Sequence, residues 1–203
     1  MHTMLKQGCL LPLLLASSLF AQIQTPRQTA EPFAGLRCEL QHQAEFADTL
    51  SARPWSHFHF ILFSGRDGLR VFADWNSWGY FARSFTLTDS HSNQFHVAAR
   101  NHIWDRNYPG TDTINRGEVL VTDVDLCDRT WQVTPKLPLK ENDWTVVGHY
   151  ALQLETDPLY LRNFHTDEVW HGTIDSPPVQ FFLTKECILR LNSVEKHPLP
   201  LRP

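Results

Sequence analysis

Apolar and polar side chains alternate with a period of two along most of this chain, and that period limits what the chain can become. Leu36, Cys38, Leu40 and His42 alternate with Arg37, Glu39 and Gln41. Leu120, Val124 and Leu126 share one parity, and Asp123 and Asp125 the other. Val146, Gly148, Tyr150, Leu152 and Leu154 alternate with His149, Gln153 and Glu155. Successive side chains of a strand point to opposite faces, so each pattern predicts a strand with one buried face. The segment 58–63 is apolar on both faces, His59 apart, and predicts a central strand. Shorter strands are expected at 69–73, from Phe95 onward, at 130–133 and at 179–183. No segment sustains apolar residues at i, i+3, i+4 and i+7. Strands at roughly 8–15-residue intervals, broken by Gly, Pro, Asn and Ser, predict an all-β antiparallel sandwich.

The segment 74–89 is the densest in aromatics. Trp75 and Trp78 flank Asn76 and Ser77, and Gly79 permits a bend. Phe81, Phe85 and Leu87 then fall opposite Ala82, Ser84, Thr86 and Thr88. This reads as an aromatic turn feeding a mid-sheet strand.

The first residues carry one positive charge, at Lys6, and then an apolar run from Cys9 to Phe20 that ends near Ala21. That layout predicts a signal peptide over 1–21, and the run is too short for the roughly 20 apolar residues of a membrane span. Residues 22–34 are Gln, Thr, Pro and Ala-rich and predict a disordered leader. The β domain is expected over 35–187, and a Pro-rich tail over 188–203. The expectation is therefore a secreted or periplasmic protein with no membrane span in its mature form. Its net charge of −4 and the absence of a Lys/Arg stripe argue against nucleic acid. Removal of Cys9 leaves Cys38, Cys127 and Cys187, which allows one disulfide. Three pairings are open. Cys38 with Cys187 is favoured because first and last strands of a sandwich often lie together. The alternative is three small buried thiols.

Gly148-His149-Tyr150, with Leu152 and Leu154, resembles the late strand of an immunoglobulin-like sandwich. The run 169–176, followed by 179–183, looks like the closing hairpin of Ig-like domains in exported bacterial proteins. The resemblance implies a fold and carries no activity. It also implies that the Tyr150 hydroxyl bonds back to backbone near Asn142 or Asp143. The chain lacks the Cys…Trp…Cys spacing of antibody domains.

Chemistry is sparsely marked. His57 and His59 sit at i, i+2 on one strand face and can begin a zinc or copper site if a third ligand approaches from His91, His96, His102, His149 or a nearby acid. Eleven histidines make one such pair an ordinary occurrence. Asp123, Asp125 and Asp128 have no glycine among them and read as a solvated, edge-protecting face, not a calcium loop. Gly-x-Ser-x-Gly, His-Glu-x-x-His and phosphate-loop motifs are missing. A Ser/His/Asp set can still meet in space, but nothing in the sequence selects one. Trp75, Trp78, Trp104 and Tyr108 lie beside turns and can stack on sugar rings or anchor a partner; equally, they can plug the ends of the sandwich. Two readings follow. One is an exported, non-catalytic Ig-like module, needing no cofactor, that binds a protein or a cell-envelope glycan through loops. The other is an exported metal-binding protein or metalloenzyme built on His57 and His59.

Overall fold

The computed structural model describes residues 35–43, 56–104, 107–140, 142–152 and 169–193. The expected signal peptide, leader and terminal proline run (194–203) lie outside these residues, as do Leu154 and Glu155. The described strands are β1 (Leu36–His42), β2 (His57–Ser64), β3 (Leu69–Phe72), β4 (Arg83–Thr88), β5 (Gln94–Ala99), β6 (Thr111–Ile114), β7 (Val119–Asp125), β8 (Trp131–Thr134), β9 (Asn142–Leu152), β10 (Gly172–Asp175) and β11 (Val179–Leu183). Among the described residues there are two short helices, α1 (Ser77–Phe81) and α2 (Lys185–Asn192). The chain is all-β in class, and every ladder between these strands is antiparallel. No helix among the described residues is long and apolar enough to cross a membrane.

One sheet has the order β1-β2-β7, the larger one β10-β9-β4-β5-β8, and β3 pairs with β6 in a ribbon. β4 takes one edge of β9, so β10 and β11 share the other, at opposite ends. The apolar segment 58–63 is central in its sheet, as its two-sided hydrophobicity requires.

The inner faces meet through aromatics. Phe60 of β2 stands edge-on to Phe85 of β4, with ring centroids 6.2 Å apart, and Phe58 meets Phe181 of β11 at 5.4 Å. All four are fully buried, each contributing about 1.5–3 kcal/mol by leaving water. Gly148 is where Phe60 fits: a Cβ there would stand 2.9 Å from the Phe60 ring and 3.1 Å from Leu40. The alternation of β9 is as expected, with Trp144, Val146, Tyr150 and Leu152 inward.

Four sequence expectations need correcting. The disulfide joins Cys127 to Cys187, with Cα atoms 4.7 Å apart, and Cys38 is a buried free thiol. First and last elements do not pair here, because Cys187 belongs to a helix that docks beyond the last strand. Residues 185–192 form α2, so the expected tail, 188–203, begins inside a helix. Thr184 caps it by accepting from the Cys187 amide, and Cys187, Ile188 and Leu191 are its buried face. Arg100, itself buried, holds the far end by donating to the Ser193 carbonyl (2.7 Å) and the Arg190 carbonyl (3.0 Å). The Tyr150 corner is also absent. Tyr150 lies near the end of β9, not its start, and its buried hydroxyl has no partner among the described residues. Finally, Phe81 ends α1 and is exposed, so the inward position before Phe85 is taken by Arg83.

Candidate functional site

Asn76 organises the region that the tryptophans mark. It sits just before α1, and its Oδ1 accepts from the Gly79 amide (3.0 Å) as an N-cap. Its Nδ2 donates to the Gly110 carbonyl (2.8 Å), and the residue is fully buried. Asn107 repeats the pattern from the other side. Its Oδ1 accepts from the Ser77 amide (2.9 Å) and its Nδ2 donates to the Ser77 hydroxyl (2.7 Å). The Ala73 amide adds a bond to the Gly110 carbonyl (3.0 Å). These bonds lock α1 to the 107–110 loop. Gly79 makes a close approach and is not a bend: a Cβ there would run into the carbonyls of Phe72 and Ala73. Gly110 leaves room for the six-membered ring of Trp75, which lies against it.

The four sequence-predicted aromatics separate into two pairs. Trp75 and Tyr108 are each 59% exposed, beside Gly110. Trp78 is half-buried and stacks on Phe72 (5.7 Å). Trp104 is half-buried and stands edge-on to Tyr80 (5.4 Å) and His102 (4.8 Å). Trp78 and Trp104 thus serve packing, and Trp75 and Tyr108 face solvent. Ile103, 62% exposed, and Phe81 add apolar surface on the same two segments. Asn76 and Asn107, which tie the two segments together, were not picked out from the sequence. An Asn directly before a short run of helix-compatible residues was the available signal for the first.

Behind Asp74 a polar cluster faces the interior. Asp74 pairs with buried Arg83 and accepts from the Thr122 hydroxyl (2.7 Å). Arg83 stands opposite Tyr150 across β4 and β9. Burial, reinforced by Asp74, raises the Asp112 carboxyl above its ordinary value. Burial raises the Tyr80 and Tyr150 phenols too. Asp74, Arg83 and Thr122 line one end of a cleft of about 400 Å³ that also takes in Tyr80, His57 and Asp128. Its acids are engaged locally. Asp128 accepts from the Thr130 amide (2.8 Å) and Asp125 from the Cys127 amide (2.8 Å).

His57 and His59 face carboxylates across the ladder, opposite Asp125 and Asp123. His59 Nδ1 lies 2.7 Å from Asp123, and His57 Nε2 3.5 Å from Asp125. His96 and His149 lie on the other sheet, His91 in a turn and His102 against Trp104. Among the described residues no three His, Cys, Asp or Glu side chains are placed to hold a metal ion.

The outer face of the larger sheet carries one further set. His149 bridges the Thr86 hydroxyl (2.8 Å, to Nε2) and Asp175 (2.7 Å, from Nδ1). His96 lies opposite Thr86 on β5, and burial, then the charge of His149, lowers its imidazole pKa.

Comparison with known protein families, curated proteins and solved structures finds no match to this chain.

Proposed function

We propose that this protein is an exported immunoglobulin-like sandwich that binds a glycan of the cell envelope through Trp75 and Tyr108. The fold half of the reading is supported by strand order. The order β1-β2-β7 follows A-B-E of Ig-like domains, and β10-β9-β4-β5 follows G-F-C-C′. The β3–β6 ribbon and β8 are additions to that plan. Export rests on the signal-peptide pattern of residues 1–21.

The binding half rests on one observation: two large aromatic side chains, each 59% exposed, on two segments tied together by the hydrogen bonds of Asn76 and Asn107. An exposed ring normally loses rotamer freedom on binding. Here packing of Trp75 against Gly110 has already taken part of that loss, so the ring is preorganised. A glycan suits the size of the surface. A stable protein interface takes about 800 Å² from each partner. Two aromatic side chains that bury about 150–250 Å² each when fully covered supply a fraction of that. A sugar ring needs only a flat apolar face with hydrogen-bonding groups at its rim, and Thr111 and Asp112 follow Gly110 directly. Titration of tryptophan fluorescence with soluble N-acetylhexosamine oligomers and a neutral hexose polymer tests the reading. Saturable change in the parent, with binding lost by calorimetry in Trp75→Ala, supports it. A flat titration with every polymer contradicts it.

A further inference from the structure

The contact Thr86–His149–Asp175 has the bonding order of a hydrolase triad, assembled from three adjacent strands. Thr86 is on β4, His149 on β9 and Asp175 on β10, which lie side by side in that sequence. Asp175 is directly opposite His149 in register, and Thr86 sits two residues along β4 from His149's partner, Ser84. All three project from the outer face, since Phe85, Leu87, Val146 and Tyr150 occupy the inner one. A carboxylate can only accept, so the Asp175 bond fixes the proton of the neutral ring on Nδ1. Nε2 is then a lone-pair acceptor, and the Thr86 hydroxyl must donate to it at 2.8 Å. Nucleophile, base and orienting carboxylate are recognised by these roles on any fold.

We infer that Thr86 is a nucleophile whose hydroxyl His149 activates and Asp175 orients, and that it accepts the acyl group of activated carboxylic esters. Thr86 Oγ1 attacks the ester carbonyl carbon while its proton passes to His149 Nε2. The tetrahedral adduct collapses by breaking the bond to the leaving alkoxide, which takes that proton. The result is an acyl-Thr86 ester and a free alcohol, and water can later hydrolyse the ester. β4 lies between β5 and β9, so its amides are used in the two ladders and cannot form a backbone oxyanion hole. The side chain opposite Thr86 on this face is His96, which in its neutral form offers one ring N–H to a developing oxyanion. The His149 and Asp175 side chains are 22% and 60% exposed on the sheet face, so the site selects for ester reactivity over shape. Stoichiometric acylation followed by slow deacylation is the consequence. The inference does not depend on glycan binding.

The test is p-nitrophenyl acetate with the purified full chain. Release of about one nitrophenolate per chain, with one acetyl group mapped by peptide mass spectrometry to Thr86, is expected. Thr86→Ala should abolish that adduct and Thr86→Ser should keep it. His149→Ala and Asp175→Asn should slow its formation, His149→Ala by about a hundredfold or more. Thr88→Ala, on the same strand face but outside the contact, should acetylate as the parent does. Circular dichroism and urea melts of each variant separate loss of reactivity from loss of fold. Acetylation confined to other side chains, or a Thr86 adduct that forms equally fast in folded His149→Ala, would overturn the inference.

Discussion

Replacing Cys127 by serine removes the cross-link between the β7–β8 turn and α2. The bridged residues are 60 apart in sequence. In the chain-entropy model, freeing a loop of that size raises the entropy of the unfolded chain by about 4 kcal/mol at room temperature. The native state should change little. α2 keeps its Thr184 cap, its Arg100 bonds and the burial of Ile188 and Leu191. The reciprocal bonds between Asn192 and the Leu137 backbone (2.8 and 2.9 Å) also remain. Urea melts should show a midpoint far below the parent's. Cys187→Ser should cost at least as much as Cys127→Ser, since it also buries a hydroxyl, and the double variant should cost no more than Cys187→Ser, because one bond is lost in all three. Adding a reductant should bring the parent down to the variants and leave the variants where they are. Cys38→Ser should cost about 1–3 kcal/mol by burying a hydroxyl in place of a thiol, and should leave the response to reductant intact. Refutation would be a Cys127→Ser protein as stable as the parent and still sensitive to reductant, which is the pattern of a Cys38–Cys187 bridge.

Tyr150→Phe should leave stability unchanged or raise it, by up to about 1–3 kcal/mol, because a buried hydroxyl without a partner is removed and the ring is kept; a lower urea midpoint would mean the hydroxyl is bonded. Gly79→Ala should cost about 1–3 kcal/mol or more, since the methyl meets backbone carbonyls that cannot step aside, and thermal melts measure it. Burial lowers the imidazoles of His42 and His96 below the usual 6.5, so the unfolded chain binds protons that the native one refuses. Stability from these two histidines is complete above pH 6.5 and falls as pH drops below it, a slope that His42→Gln with His96→Gln should flatten in melts between pH 7 and 5. Burial pushes the Cys38 thiol up to about 12, so at pH 8 iodoacetamide should spare it in the native protein and alkylate it in urea.

The strands were legible because burial on one face writes a period of two into the sequence. β1 and β7 start at or next to Leu36 and Leu120, where the alternations begin, and β9 starts earlier than its alternation from Val146, at Asn142. The two helices were hidden for opposite reasons. α1 is five residues long, too short to show a helical period, and the cap that starts it is one asparagine. α2 spans eight residues, and its apolar positions, Cys187, Ile188 and Leu191, are too few to stand out beside a proline-rich end. Arg83 was unreadable as an inward residue, since its burial depends on Asp74, nine positions earlier and outside the strand. The same holds for the sites. Exposed Trp75 and packed Trp78 differ only in what lies beside them, Gly110 for one and Phe72 for the other. Thr86, His149 and Asp175 come from strands 26 and 63 residues apart, so no linear motif can join them.

The central claim is that Trp75 and Tyr108 form a rigid glycan platform, and one fluorescence titration tests it most directly. The parent, Trp75→Phe, Trp75→Ala and Tyr108→Ala are titrated with the same soluble N-acetylhexosamine oligomers, each first shown by urea melt to be folded. Binding to the Trp75 variants is followed by calorimetry, because the reporting indole is gone. The account predicts saturable binding by the parent, affinity largely retained in Trp75→Phe, and at least tenfold losses in Trp75→Ala and Tyr108→Ala. Binding that is equally tight in folded Trp75→Ala and Tyr108→Ala would place the ligand elsewhere and contradict the account.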